Sequence, residues 1–269
     1  MAAARKALDL FLSLGVGGGV LISTLQPPQA LAQHAGHGGV ISQTSEGGEG
    51  GEGGEGGASG SAGEIRSDQD LLVVLAQMQG HLLVAQELLN QGQAKAAEPH
   101  VGHPVDELYG ALQPVLEARG ISPFLSSLEA LRQQVRLAPT SPETAVKLAQ
   151  AQQAIAKAGE QAVATPERTS PTSLQGVVRE LASAAAEEYE GAVANGQVLE
   201  TIEYQDARGF LLEAQRLLSS SAQSPGAAAT ALAGQRQVIA AMLRAFPSAL
   251  PPGKTVLSPA ALKQLQQQL

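Results

Sequence analysis

The 269-residue sequence contains no cysteine and no tryptophan, and only three tyrosines and four phenylalanines. The absence of cysteine excludes disulfide bonds, iron–sulfur clusters, covalently attached c-type haem, thiol nucleophiles and a lipid-modified N-terminal cysteine. The few aromatic residues, together with the abundance of alanine, leucine and glutamine after Asp68, favour helices over sheets. We therefore expect an all-α fold that is stabilised by helix packing alone.

The sequence also lacks an excess of basic residues and the motifs of common enzymes. Its formal net charge is −8, and acidic and basic residues are interspersed in its second half, so nucleic acid is not an expected partner. The segment Gly253-Lys254-Thr255 resembles the end of a phosphate-binding loop, but Ser248 occupies the position of the first required glycine. No nucleophile–base pair is visible, and we expect no enzymatic activity.

The N-terminal 32 residues have the pattern of an export signal. Arg5 and Lys6 precede an apolar run from Ala7 to Leu25, and Ala30-Leu31-Ala32 is a small-x-small cleavage site. We predict cleavage after Ala32 and a periplasmic location; a retained membrane anchor is the alternative. No other stretch approaches about 20 apolar residues, so no transmembrane segment is expected in the mature protein.

Residues 33–66 are rich in glycine and glutamate, too polar to bury a core, and are predicted to be a disordered linker. Helical spacing of apolar residues then begins at Ser67 and continues to the C terminus. The Pro166 to Pro171 segment is predicted to separate two helical subdomains, residues 67–165 and 166–269. The expected architecture is one helical bundle or two consecutive bundles.

Three histidines lie within 23 residues of each other in the helical region. His81 continues an apolar helical stripe and should face the interior. His100 and His103 are expected to flank a turn before Pro104, and Glu107 follows four residues after His103. Imidazoles with a carboxylate form a ligand set for Zn²⁺, Fe²⁺ or Cu²⁺. The alternative is a hydrogen-bonded core histidine and two turn-capping histidines, and both interpretations stay open. His34 and His37, in the predicted linker, are most simply two incidental histidines of a solvated segment, and capture of a transition metal is the alternative.

A second group of chemically active side chains is acidic and falls on two successive predicted helices. A solvated acidic face is its commoner meaning, while a secondary cation site or docking surface is the alternative. No histidine stands among these residues at the spacing that di-iron bundles require. The group consists of Glu187, Glu188, Glu190, Glu200, Glu203 and Asp206.

Two segments of the second half, residues 185–198 (AAEEYEGAVANGQV) and 203–210 (EYQDARGF), carry a family resemblance. From about Ser173 to Leu218 the chain resembles the extracytoplasmic helical region that precedes the membrane part of bacterial high-affinity iron permeases. The surroundings of His81 and of His103 resemble small exported proteins associated with such uptake systems. The chain has no permease helices, and residues 179–183 (RELAS) lack the final glutamate of the family's R-E-x-x-E iron motif.

The resemblance implies a periplasmic accessory that binds or delivers iron, or that docks on a membrane iron permease. Its metal would be a divalent or trivalent ion, with iron favoured and zinc or copper as alternatives. The predicted ligands are His81, His100, His103 and Glu107. The competing hypothesis is a helical protein-interaction module that binds no metal.

Overall fold

The computed structural model describes residues 64–220 and 227–269, to which all structural statements below refer. The predicted signal peptide and almost all of the predicted linker lie outside the described residues. The all-α prediction is confirmed, because the only strands among the described residues are two of two residues each. The elements are α1 (Asp68–Asn90), α2 (Ala94–His103), a π-helical turn (Pro104–Leu108), α3 (Tyr109–Ala118), α4 (Leu125–Leu137), α5 (Pro142–Ala162), α6 (Thr165–Arg168), α7 (Pro171–Ala192), β1 (Val193–Ala194), β2 (Gln197–Val198), α8 (Thr201–Ser220), α9 (Ala227–Leu243) and α10 (Pro259–Gln266).

Helix α1 is the central element of the fold. Ser67 caps it by accepting a hydrogen bond from the Asp70 backbone, and the Asp70 carboxylate accepts one from the Ser67 backbone in return. Its length and composition would suit a membrane span, but 67% of its apolar stretch is buried inside the protein, as in a core helix. Most of its apolar side chains pack with α2 to α5, and Ala76 packs with the C-terminal helices.

The C-terminal half is a bundle of the four helices α7, α8, α9 and α10. A tight hairpin joins α7 to α8, and its turn residues Asn195 and Gly196 have φ angles of 54° and 73°. Tyr189, Tyr204 and Phe246 form an aromatic cluster in the bundle core. Helix α1 packs along α8 and also contacts α7.

One predicted feature of the chain path was wrong. Helix α2, the π-helical turn and α3 follow one another without interruption from Ala94 to Ala118, so no turn separates His100 from His103. Pro104 has no N–H to donate, and the helix widens after it, so that the Tyr109 N–H bonds to the Pro104 carbonyl, five residues back. The predicted linker from Pro166 to Pro171 contains most of the one-turn helix α6 and the first residue of α7.

The backbones of helices α1 and α8 are in contact where Gly80 packs against Gly209. A Cβ atom added to Gly80 would lie 2.9 Å from the Phe210 ring and 3.0 Å from the Gly209 carbonyl oxygen. A Cβ atom added to Gly209 would collide with the Gly80 carbonyl group. Both residues are therefore required to be glycine for the helices to cross at this distance. The crossing brings the residues next to it, on both helices, within side-chain reach of each other.

Candidate metal centre

The three predicted histidines converge on one carboxylate. His81 comes from α1, His100 and His103 come from α2, and Asp206 comes from α8. One potential ligand atom from each of the four residues lies within 4.8 Å of all the others. The sequence prediction of the three histidines as one cluster therefore agrees with the structure, and the carboxylate at its centre is Asp206.

The Nδ1 atoms of all three imidazoles face the Asp206 carboxylate. His81 Nδ1 lies 2.7 Å and His100 Nδ1 lies 2.8 Å from the same oxygen, Oδ1. His103 Nδ1 lies 3.3 Å from the second oxygen, Oδ2. Donors bound to one metal ion at 2.0–2.1 Å in tetrahedral geometry are about 3.4 Å apart. The His81 and His100 contacts with Asp206 would therefore lengthen by about 0.6–0.7 Å around a small cation, whereas the His103 contact already has about the required length.

The Gly80–Gly209 crossing explains why these side chains meet. His81 directly follows Gly80 on α1, and Asp206 precedes Gly209 by about one turn on the same face of α8. The Phe210 ring packs edge-on against the His81 imidazole, with ring centroids 5.0 Å apart, and holds it against α8. On α2, the three-residue spacing of His100 and His103 places both imidazoles on one side of the helix.

Burial increases from one side of the cluster to the other. The side-chain exposure is 26% for Glu107 and 18% for His103, but 6% for Asp206, 5% for His81 and 0% for His100. Solvent therefore reaches the cluster from the side of His103 and Glu107. The histidines on the closed side are sealed by α8.

The cluster holds its carboxylate ionised in spite of burial. Burial alone would raise the pKa of Asp206, but the charges and hydrogen bonds of the histidines lower it well below its ordinary value. Burial lowers the pKa of His81, and the nearby Asp206 charge only partly opposes this effect. Burial also acts to lower the pKa of His103, but Asp206, Glu107 and Glu188 together raise it above its ordinary value. The site thus combines a buried carboxylate and a buried imidazole, Asp206 and His81, whose pKa values both lie below their ordinary values.

His103 differs from the other two histidines because its buried Nδ1 atom lacks a partner. The nitrogen has no hydrogen bond among the described residues, although the Asp206 carboxylate lies 3.3 Å away at an angle unsuited to one. A buried polar atom without a hydrogen bond costs about 1–3 kcal/mol. A cation between His103 and Asp206 would satisfy it.

Glu107, the fourth predicted ligand, is adjacent to the cluster but outside its tight group. Its carboxylate oxygen Oε1 lies 3.8 Å from His103 Nε2, on the side of that ring opposite to Asp206. Asp206 was not predicted as a ligand of the histidine cluster; the sequence placed it in the acidic group, for which a secondary cation site was the alternative. The burial of that group is uneven. Glu187, Glu190 and Glu200 are exposed, Glu188 and Glu203 are half-buried, and Asp206 is buried.

The C-terminal part of the chain, which includes α8, is similar to a known family. Residues 164–269 match the family of the iron permease-associated 4-helix bundle domain. The resemblance to iron-permease regions that the sequence predicted for about Ser173 to Leu218 is thereby confirmed and extends over α7 to α10. No curated protein and no solved structure matches the chain significantly. The matched segment contains Asp206 but none of the three histidines, so the cluster joins the 4-helix bundle domain to the helices that precede it.

Proposed function

We propose that the protein is an exported, non-enzymatic accessory of an iron-uptake system and binds a transition-metal ion through His81, His100, His103 and Asp206. The observation that carries the proposal is the convergence of these four donors, from three helices, within 4.8 Å of one another. The description of the matched family supplies the link to iron permeases. A membrane iron permease is accordingly the proposed partner.

The donor set favours a borderline metal ion. Imidazole nitrogens suit iron, zinc, copper and nickel, whereas magnesium and calcium prefer oxygen ligands throughout. Three imidazoles and one carboxylate leave further coordination positions open for a metal that takes more than four ligands. Glu107 lies 3.8 Å from His103 Nε2, on the side of the ring that faces away from Asp206, so it is placed to orient His103 rather than to bind the same ion. We therefore favour iron, with zinc and copper as competing ions.

The second candidate function is a helical interaction module without metal. The hydrogen bonds of His81 and His100 to Asp206 have ordinary lengths, so protons alone can satisfy two of the three imidazoles. Several large apolar side chains of the C-terminal half are exposed and available to a protein partner: Leu199, Ile202, Leu250 and Val256. This candidate differs from the first in predicting that histidine substitutions change stability alone.

Metal binding by the purified mature protein decides between the two. We expect one Co²⁺ ion per chain to bind with a visible absorption spectrum, and an excess of Fe²⁺ under anaerobic conditions to compete for the same site. The combined substitutions His100→Ala and His103→Ala should abolish this binding. The matched control is His34→Ala with His37→Ala, which removes two imidazoles outside the described residues and should leave the bound ion in place.

Unchanged stoichiometry and affinity after the substitutions of His100 and His103 would reject the metal site. Loss of binding in the control pair instead would assign the metal to the segment before the helices. Periplasmic location is tested separately, by fractionating cells that express the full chain and sequencing the N terminus of the exported form, which should begin after Ala32.

A further inference from the structure

Gln205 is a buried side chain that touches the cluster without belonging to it. It precedes Asp206 on α8 and is 1% exposed. Its amide oxygen lies 2.8 Å from His100 Nε2, and its amide nitrogen donates to the Ala249 carbonyl oxygen at 3.0 Å. The Ala249 peptide is itself fixed, because its N–H donates to the Glu87 carboxylate at 2.9 Å.

These contacts determine the orientation of the Gln205 amide. The Ala249 carbonyl can only accept a hydrogen bond, so the amide NH₂ group must face it. The amide oxygen therefore faces His100, and since that oxygen can only accept, His100 Nε2 carries a hydrogen. The remaining nitrogen of a neutral imidazole, Nδ1, then has its lone pair free, and it is this atom that lies 2.8 Å from Asp206 Oδ1.

We propose that Gln205 is a positioning residue that selects Nδ1 of His100 as the metal-donating nitrogen, an inference that rests on the proposed function of the cluster. With the hydrogen on Nε2, His100 and Asp206 present two acceptors to each other, and only a proton or a cation can lie between them. With the hydrogen on Nδ1, the Nε2 lone pair would oppose the Gln205 oxygen, and the donor to the metal would be lost. Partners of this kind commonly change metal affinity 10- to 100-fold when removed.

Two neighbouring residues on α8 allow this role to be separated from a purely structural one. Tyr204 also bonds to the segment after α9, by donating its hydroxyl hydrogen to the Ser248 carbonyl at 3.1 Å, and within the described residues it forms no hydrogen bond or ring contact with His100. Tyr204→Phe therefore loosens the same segment and leaves the His100 partner intact. Gln205→Met keeps the side-chain volume and removes both the acceptor for His100 and the donor to Ala249, whereas Gln205→Glu keeps an acceptor for His100.

The experiment measures Zn²⁺ affinity in the full mature chain by competition with a chromophoric chelator. Gln205→Met should weaken binding by about 10- to 100-fold, while Gln205→Glu and Tyr204→Phe should stay within about threefold of the wild type. An unchanged affinity in Gln205→Met would overturn the proposal. Equal losses of Zn²⁺ affinity in all three variants would also overturn it, because the effect would then come from the attachment of the segment after α9 to α8.

A spectroscopic readout is independent of metal affinity. Long-range ¹H–¹⁵N spectra of the wild type should show the His100 hydrogen on Nε2, with and without Zn²⁺, and should show its loss or exchange broadening in Gln205→Met. A hydrogen on Nδ1 together with none on Nε2 in the wild type would refute the role of Gln205. A wild type that binds no Zn²⁺, Co²⁺ or Fe²⁺ would instead refute the proposed function, and the spectrum would still decide the tautomer.

Discussion

Glu188 should destabilise the metal-free protein at alkaline pH. It lies half-buried on α7 and forms no ion pair with lysine or arginine among the described residues. Burial, followed by the negative charges of Asp206, Glu203 and Glu107, raises the pKa of Glu188 from 4.5 to about 8, and His103 only partly offsets them. The protein thus folds with Glu188 protonated below this pH and must ionise an unfavourably placed carboxyl above it.

The sign and size of the effect follow from the pKa. Because the folded pKa lies above the unfolded one, the contribution of Glu188 to stability is fully present below pH 4.5 and is lost as the pH rises to about 8. Each pKa unit corresponds to about 1.4 kcal/mol, so the complete loss amounts to about 5 kcal/mol. Solvent screening at a partly exposed carboxylate reduces this figure, and we expect about 2–3 kcal/mol.

Glu188→Gln should therefore raise the free energy of unfolding by about 2–3 kcal/mol at pH 9 and change it little at pH 4. The assay is urea unfolding followed by circular dichroism at several pH values, with a chelator present. Glu187→Gln provides the control, since it removes the same charge from an exposed neighbour. A wild type as stable as Glu188→Gln at pH 9 would refute the reasoning. Adding Fe²⁺ or Zn²⁺ should shrink the difference, because a nearby cation favours the ionised carboxylate.

Two further predictions test the geometry of the helix crossing and the competition between protons and metal. Gly209→Ala should lower the free energy of unfolding in urea by about 1–3 kcal/mol, because the added methyl group collides with Gly80. The control is Gly234→Ala, which should be neutral or stabilising because no atom lies within 4 Å of the added methyl group. Metal affinity should fall as the pH is lowered, because protons compete with the metal for the imidazoles. The decline should begin above pH 6.5, because the pKa of His103 is raised above that ordinary value. A metal affinity that stays constant between pH 8 and pH 5 would contradict the histidine ligands.

The histidine cluster could be predicted from the sequence because the orientation of each histidine follows from the residue spacing within its own helix. His81 continues an apolar helical stripe, which is enough to turn it inward, and His100 and His103 are three residues apart, which places them on one side of a helix. The prediction of a turn between His100 and His103 was wrong because a proline, which ends most helices, can also be accommodated within a continuous helix by a π-helical turn. That outcome depends on how the flanking residues pack, which Pro104 itself does not reveal.

Asp206 was missed because its burial depends on a contact 125 residues away in the sequence, the one with His81. An acidic run on a helix usually faces solvent, and nothing within the run distinguishes the buried carboxylate from Glu200 or Glu203. The useful signal lay just beyond it. Gly209, three residues later and on the same face, indicates a close helix approach, and a carboxylate next to such an approach is directed at the partner helix.

The position of the cluster across the boundary of the matched domain has a consequence for folding. The segment 164–269 contributes one of the four donors, and the helices before it contribute three. An ion that binds only when all four are assembled stabilises the docked arrangement of α1 and α2 on α8 over any state in which these helices separate. Metal binding and the packing of the two halves are then thermodynamically linked, so a surface of the 4-helix bundle that α1 covers is most firmly closed when the ion is bound. A partner that competes for that surface would favour release of the metal, which is the property that the proposed delivery of metal to a permease requires.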